Sequence, residues 1–245
     1  MSVDNIRIIM LNTSHPGNIG AAARVMKNMG LEHLYLVQPK RFPDPEATAM
    51  ASGADDLLSR AIVCDSLEQA LEGCHLVLGS TARERKLQHE FIDARQAAQQ
   101  AMMEASNHQV ALVFGRERTG MTNEEIGLCH TLINIPTNPQ YSSLNVASAI
   151  QIVTYELMMT AHLSRKELSE NIQPVDYAAS DAMEGFYRHL EATLIEIDFL
   201  NPEQSPQLMP KLRQLYNRSR LKQEELNILR GILTQTQKSI RHKQN

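Results

Sequence analysis

Nowhere in the 245 residues is there an apolar run of about 18, the length a helix needs to cross a bilayer. The opening MSVDNIRIIMLNTS carries only a short apolar run behind an acid. It predicts a first strand and no signal peptide, so the expected compartment is the cytoplasm. Cysteine is scarce and odd in number: Cys64, Cys74 and Cys129, with no Cys-x-x-Cys spacing. That argues against a disulfide framework and against a cysteine zinc site, and predicts buried free thiols. The dinucleotide fingerprint G-x-G-x-x-G and the phosphate-binding P-loop are both missing. The chain also shows no internal repeat and no low-complexity segment. Its strand-end segments hold no metal-ligand cluster, paired carboxylates or Ser-His-Asp set. Metal hydrolysis, acid-base carboxylate pairs and serine nucleophiles are therefore not expected.

What remains is ordinary globular composition, 42% hydrophobic and 21% charged, with an uneven charge pattern. The net charge is −4, yet residues 205–245 carry nine basic and two acidic side chains. Lys211, Arg213, Arg218, Arg220 and Lys222 fall within twelve residues of one another. A basic tail on an acidic protein reads either as a solvated helical face or as a contact for a polyanion.

Short apolar runs alternate with helical patterns along the first two thirds. Strands are expected at 6–11, 33–37, 61–64, 75–81, 110–115 and 131–135. Helices are expected at 18–30, 46–58, 66–73, 92–106, 122–129 and from Ser143 to about Arg165. Ser66-x-x-Gln69 and Thr122-x-x-Glu125 fit capping boxes, and Gly30 and Gly73 sit where left-handed C-terminal caps are wanted. This order predicts an α/β domain over 1–165, a mostly parallel sheet with helices on both faces. The polar segment 167–181 reads as a linker. Amphipathic stretches at 182–200 and 211–240 make residues 166–245 a helical extension.

In such sheets ligands bind beyond the carboxyl ends of the strands, so the loops there matter most. NTSHPGNIGAAARVMKN (12–28) offers Gly17 and Gly20 for close backbone approach, a helix start that favours anions, and Asn18 and Arg24. Asn18 could equally be a plain N-cap and Arg24 a surface residue. LGSTARERK (78–86) ends a strand on the small residues Gly79, Ser80, Thr81 and Ala82, room for a flat ligand, followed by Arg83, Arg85 and Lys86. VFGRERTGMTNEE (113–125) places Glu117 between Arg116 and Arg118, either a salt-bridge cluster or the floor of a pocket. IPTNPQYSSLNVASAI (135–150) joins a loop stiffened by Pro136 and Pro139 to a helix, with Ser142, Ser143 and Asn145 at its start. Simple N-capping explains one serine but not the pair plus Asn145. Tyr141 reads either as core or as a ring that stacks on a base.

Taken in order, Asn18, Gly20, Ala23 and Arg24, then VFGRERTG, then IPTNPQYSSLNVASA resemble the three motifs of the SPOUT superfamily of RNA methyltransferases, in particular its TrmH-type ribose 2′-O-methyltransferases. The resemblance implies a sheet whose C-terminal part is tied in a trefoil knot. It implies S-adenosylmethionine as cosubstrate, held by Ser80, Thr81, Ala82, Gly115, Ile135, Ser142, Ser143 and Leu144, and no metal. It implies homodimers with the active site at the interface. Asn18, Arg24, Ser143 and Asn145 match the catalytic positions, and Glu117 a substrate position. ELNILRGIL (225–233) in the helical tail resembles the branch that modifies the tRNA anticodon loop. The implied substrate is then the ribose of cytidine or uridine 32, with Tyr141, Lys211, Arg213, Arg218 and Arg220 as further RNA contacts. Other readings stay open: another tRNA position, ribosomal RNA, an RNA-binding protein without catalysis, or a nucleotide-dependent enzyme of doubly wound fold.

Overall fold

The protein is described here by a computed structural model covering residues 3–82, 91–167 and 175–244, so Arg83, Arg85 and Lys86 lie outside the described residues. The first strand, β1 (Ile6–Leu11), is buried along its whole length. Ile6, Ile8 and Met10 join one core cluster, Ile9 and Leu11 the other, as expected of a strand covered on both faces. Arg7 interrupts this run. Its guanidinium bends to the C-terminal turn of a neighbouring helix, donating to the carbonyls of Ala70 (3.0 Å) and Glu72 (3.2 Å). It also lies 4.7 Å over the Tyr35 ring.

After β1 come α1 (Pro16–Asn28), β2 (His33–Val37), α2 (Pro45–Ala51), α3 (Asp55–Ser59), β3 (Ile62–Cys64), α4 (Leu67–Leu71) and β4 (Cys74–Ser80). Then follow β5 (Phe91–Ile92), α5 (Ala94–Glu104), β6 (Gln109–Phe114), α6 (Asn123–Gly127), β7 (Thr131–Ile133) and α7 (Val146–Glu167). Among the described residues the strands form one parallel sheet in the order β3-β2-β1-β6-β4-β7-β5. Helices α1, α2, α5 and α7 cover one face, and α4 and α6 the other. The α/β architecture with helices on both faces is thus as the sequence predicts. β7 lies between β4 and β5.

Several boundaries moved for local reasons. The helix expected over 46–58 is two helices, because Ser52 and Gly53 take left-handed φ values of 47° and 91°. The stretch at 92–106 opens with β5, and Asp93 and Gln96 then form a capping box for α5. The Thr122–Glu125 box is complete. In the other, Ser66 accepts from the Gln69 amide but Gln69 reaches the Asp65 amide instead of that of Ser66. Gly30 and Gly73 are left-handed, as expected. The three cysteines are free and buried.

The extension consists of α8 (Ser180–Glu196), α9 (Leu208–Ser219) and α10 (Gln223–Gln244). It has its own core around Phe186, Tyr187, Leu190 and Leu226. Polar contacts dock it on the sheet unit. Ser180 Oγ donates to the Cys74 carbonyl (2.9 Å), and Asn217 Nδ2 to that of Gly127 (2.8 Å). Arg220 Nη2 donates to Glu104 (2.9 Å) and to the His75 carbonyl (3.3 Å).

Gly20 has a different use from the one its loop suggests. A Cβ there would sit 2.0 Å from the Ala47 carbonyl oxygen, so the glycine lets α1 and α2 touch and does not serve a ligand. Gly20→Ala should therefore destabilise the protein by about 1–3 kcal/mol in urea unfolding through overpacking against backbone. Gly185→Ala, inside α8 with nothing within 4 Å of the added Cβ, should stabilise by about 0.5–1 kcal/mol. Equal effects at the two positions would contradict this packing.

Candidate active site

The carboxyl ends of β4, β6 and β7 and the start of α7 surround a cavity of about 290 Å³. All eight positions expected to hold the cosubstrate line it: Ser80, Thr81 and Ala82, Gly115, Ile135, Ser142, Ser143 and Leu144. The backbone brings them together, since the Thr81 amide donates to the Ile133 carbonyl (3.0 Å) and so draws the β4 loop against β7. Gly115 is required by the turn beside it. A Cβ there would lie 2.5 Å from the carbonyl carbon of Gly120, which folds back on Arg116 through two backbone bonds. Gly79 opens no space for a ligand, because Cys129 and Met121 fill the place a Cβ would take. The turn from Arg116 to Gly120 also lines it, as do Phe114, Val146 and Ala149. They are the inward ends of apolar elements and carry no separate signal in the sequence.

Glu117 joins the three motif loops. Its carboxylate accepts from the Ser14 amide (3.1 Å) and hydroxyl (3.1 Å), the His15 amide (3.4 Å) and Asn18 Nδ2 (3.0 Å). Asn18 Oδ1 in turn accepts from Asn145 Nδ2 (2.9 Å), and Asn145 Oδ1 accepts from the Ala147 amide (2.8 Å). Burial raises the Glu117 pKa, but bonds from its own amide, Asn18, His15 and Ser14 outweigh it and hold the carboxyl below the ordinary glutamate range. A lowered pKa means the bonded form is favoured throughout the neutral range. That stabilisation is lost only as pH falls through the lowered value.

This network corrects two sequence expectations. Ser142 and Ser143 do not cap α7, which starts at Val146. The cap is Asn145, whose side chain holds an amide of the first turn. Asn18 is not an N-cap either; it bridges Glu117 and Asn145. Ser142 and Ser143 are left exposed on the cavity wall.

Arg24 projects from α1 into solvent, and it is not among the residues lining the cavity. Tyr141 is 80% exposed, which excludes the core role. Arg116 makes a bidentate ion pair with Glu125 (2.8 Å to each oxygen) and donates to Asn12 Oδ1. The charged run at 116–118 is thus divided: Arg116 clamps α6 and β1, and Glu117 clamps the 14–18 loop.

The basic tail is divided as well. Arg213 pairs with Glu184 and lies 4.4 Å over the Tyr187 ring. Arg220 pairs with Glu104 and lies 4.0 Å over Tyr177. Both hold the extension together or to the sheet unit. Lys211 and Arg218 stay exposed. Among the described residues no group of three or more His, Cys, Asp or Glu side chains is placed to hold a metal, and no helix is long and apolar enough to cross a membrane.

Comparison with known proteins agrees with this geometry. Residues 5–155 match the family described as SpoU rRNA Methylase, and residues 181–245 match the C-terminal domain of the tRNA methyltransferase TrmJ. A relative from Pectobacterium atrosepticum, named tRNA (cytidine/uridine-2′-O-)-methyltransferase TrmJ, is 49% identical over 97% of this chain and 98% of its own. One from Pseudomonas aeruginosa, named tRNA (cytidine/uridine/adenosine-2′-O-)-methyltransferase TrmJ, is also 49% identical, over 98% and 96%. The crystal structure of TrmJ from Z. mobilis superposes with a TM-score of 0.83 at 32% identity, covering 94% of this chain and 98% of that one. This chain therefore belongs to the SpoU methylase family, in its TrmJ branch.

Proposed function

We propose that this chain transfers a methyl group from S-adenosylmethionine to a ribose 2′-hydroxyl of tRNA, at nucleotide 32 of the anticodon loop. The observation that carries this reading is the convergence of all eight expected cosubstrate positions on one cavity, with Glu117, Asn18 and Asn145 locked at its mouth. The names of the relatives support tRNA as the substrate, and cytidine and uridine as the target bases. The P. aeruginosa relative is named for adenosine too, which favours a second reading in which a purine is also accepted.

Residues 1–165 serve as the catalytic unit, and 166–245 as an extension that supports RNA binding. The cavity suits the cosubstrate: small side chains and backbone at Ser80–Ala82 and Gly115 for a flat adenine, and exposed hydroxyls at Ser142 and Ser143 for polar groups. Bound there, S-adenosylmethionine supplies an electrophilic methyl on a sulfonium. The protein's task is alignment of the ribose hydroxyl, which supplies about 7–11 kcal/mol in favourable model reactions. Arg24 holds a phosphate beside the target ribose and stabilises the developing alkoxide. An arginine guanidinium serves such a site as a cation and not as a base. Asn18 and Asn145 act as positioning residues through the bonds already described, and Ser143 faces the substrate.

An Arg24 outside its own cavity fits a homodimer in which it serves the partner's site. A stripe of exposed apolar residues on α7, Ile152, Tyr155, Met159 and Leu163 at helical spacing, supplies a face for that contact.

Transfer of labelled methyl to unmodified tRNA, with the product mapped by nuclease digestion and mass spectrometry, tests the function. Label on the 2′-oxygen of nucleotide 32 is expected; label confined to ribosomal RNA would overturn the substrate. Substrates with cytidine, uridine or adenosine at that position separate the two base readings. Arg24→Ala should lower transfer by about 10²–10³-fold and leave the cosubstrate Kd within about twofold. Equal loss of cosubstrate binding would remove Arg24 from this role. Glu117→Ala should free Asn18 and the 14–18 loop and lower kcat by about 10²-fold, the usual consequence of a misplaced site. The double variant Tyr155→Asp, Met159→Asp should sediment as a monomer and lose transfer. A dimer of undiminished stability would show that α7 is not the interface.

A further inference from the structure

The larger hollow in the molecule is not the cosubstrate cavity. A cleft of about 1070 Å³ lies between the carboxyl ends of β1, β2, β3 and β6 and helix α9. The two hollows meet at Arg116, which lines both. We propose that this cleft holds the single-stranded nucleotides next to the methylated one and reads their bases, with Gln38 and Gln214 as specificity-determining residues. This rests on the tRNA reading above and extends it to Gln38, Gln214 and Glu68, which that reading does not use.

The floor is a continuous polar rail. Arg116 donates to Asn12 Oδ1, Asn12 Nδ2 to Gln38 Oε1 (3.1 Å), and Gln38 Nε2 to the Asp65 carbonyl (2.6 Å). Asn12 and Gln38 both take φ 45°, left-handed conformations that side-chain-bearing residues adopt at a cost. Two adjacent strands thus end in strained amide residues whose side chains lie along the cleft. Asn and Gln amides each present a donor and an acceptor, the pattern that pairs with base edges.

The opposite wall is prepared for the same ligand. Gln214 lines the cleft half-buried, and its Nε2, closed off from solvent, has no hydrogen-bond partner among the described residues, so it meets a ligand acceptor once the side chain turns into the cleft. Lys211 and Arg218, on the same helix, are exposed and form no ion pair among the described residues, unlike Arg213 and Arg220. The carboxylates of Asp65, Glu68 and Glu124 line the cleft as well, while Lys211 and Arg218 supply two uncommitted cations on the α9 wall and polar amides line the floor. That is the chemistry for a polyanionic strand with splayed bases: phosphate on the cations, base edges on the amides. Exposed Glu68 on α4 adds an acceptor suited to an exocyclic amino group. A duplex would not present its base edges this way, whereas a loop does. A strand whose target ribose enters the cosubstrate cavity passes Arg116 and continues into the cleft.

The three native cysteines are buried, so Leu215→Cys, at an exposed position of the cleft wall, provides a selective thiol for a photo-crosslinker. Irradiation of the labelled protein with unmodified tRNA should give crosslinks to loop nucleotides flanking the target. In parallel, Gln214→Leu and Arg218→Ala should each raise the KM for tRNA by about tenfold, with the KM for S-adenosylmethionine unchanged. Arg218→Ala should also reduce the salt slope of tRNA binding by about one. Gln214→Leu should change the preference among stem-loops that differ only at the bases beside the target, which a merely structural role would not do. With wild-type transfer intact, crosslinks confined to other parts of the tRNA, or unchanged KM and base preference, would overturn the cleft alone. No wild-type transfer to tRNA would overturn the functional reading, and the cleft with it.

Discussion

Four donors from residues 14–18 converge on one carboxylate about a hundred positions further along the chain, and the site depends on that convergence. Glu117 stands at the end of β6, the strand beside β1, so parallel pairing in the middle of the sheet sets it opposite the loop that follows β1. The carboxylate offers its two oxygens to four donors of the loop, two of them backbone amides. Through Asn18 the constraint passes to Asn145 and the first turn of α7. Three loops that would otherwise move separately are thereby held as one frame around the cavity. Charge-assisted bonds to a carboxylate are stronger than neutral ones, which suits a frame that must hold reacting atoms in line.

Beside that frame the strand ends border two hollows. The β4–β6–β7 end surrounds a small cavity, whereas the β3–β2–β1 end and α9 enclose a larger polar cleft. Arg116 belongs to both, tying α6 to β1 while Glu117 next to it ties the catalytic loop. The extension docks through hydrogen bonds from Ser180, Asn217 and Arg220 to backbone carbonyls and Glu104. Its own core is separate. Such an interface fixes position at modest energetic gain, since each bond replaces one to water.

Six of the seven strands were legible in the sequence, β5 was not, and the eight cavity positions followed from the family resemblance. Apolar runs without alternation mark strands covered on both faces, and glycine, serine and proline cluster where those strands end. Roles within the site were harder to read. Nothing in NTSHPGN announces that Asn18 answers Glu117 and not its own helix, nor that Gly20 faces Ala47 of α2. Ser142, Ser143 and Asn145 all have cap-forming side chains, and local pattern does not choose among them. The count of cations in the tail suggested a uniform basic surface. Only pairing partners from distant segments, Glu184 for Arg213 and Glu104 for Arg220, distinguish structural arginines from free ones.

By itself the sequence determined the elements and their order, because hydrophobic period and turn chemistry act between neighbours a few residues apart. It also determined which loops would carry polar groups to the strand ends. The tertiary structure decided which of those groups meet. Hydrogen bonds and ion pairs form at about 3 Å, and whether two side chains a hundred residues apart come that close depends on strand order and helix packing. Strand order β3-β2-β1-β6-β4-β7-β5 puts β1 against β6, and that one adjacency creates the Glu117 frame and the Arg116 clamp together.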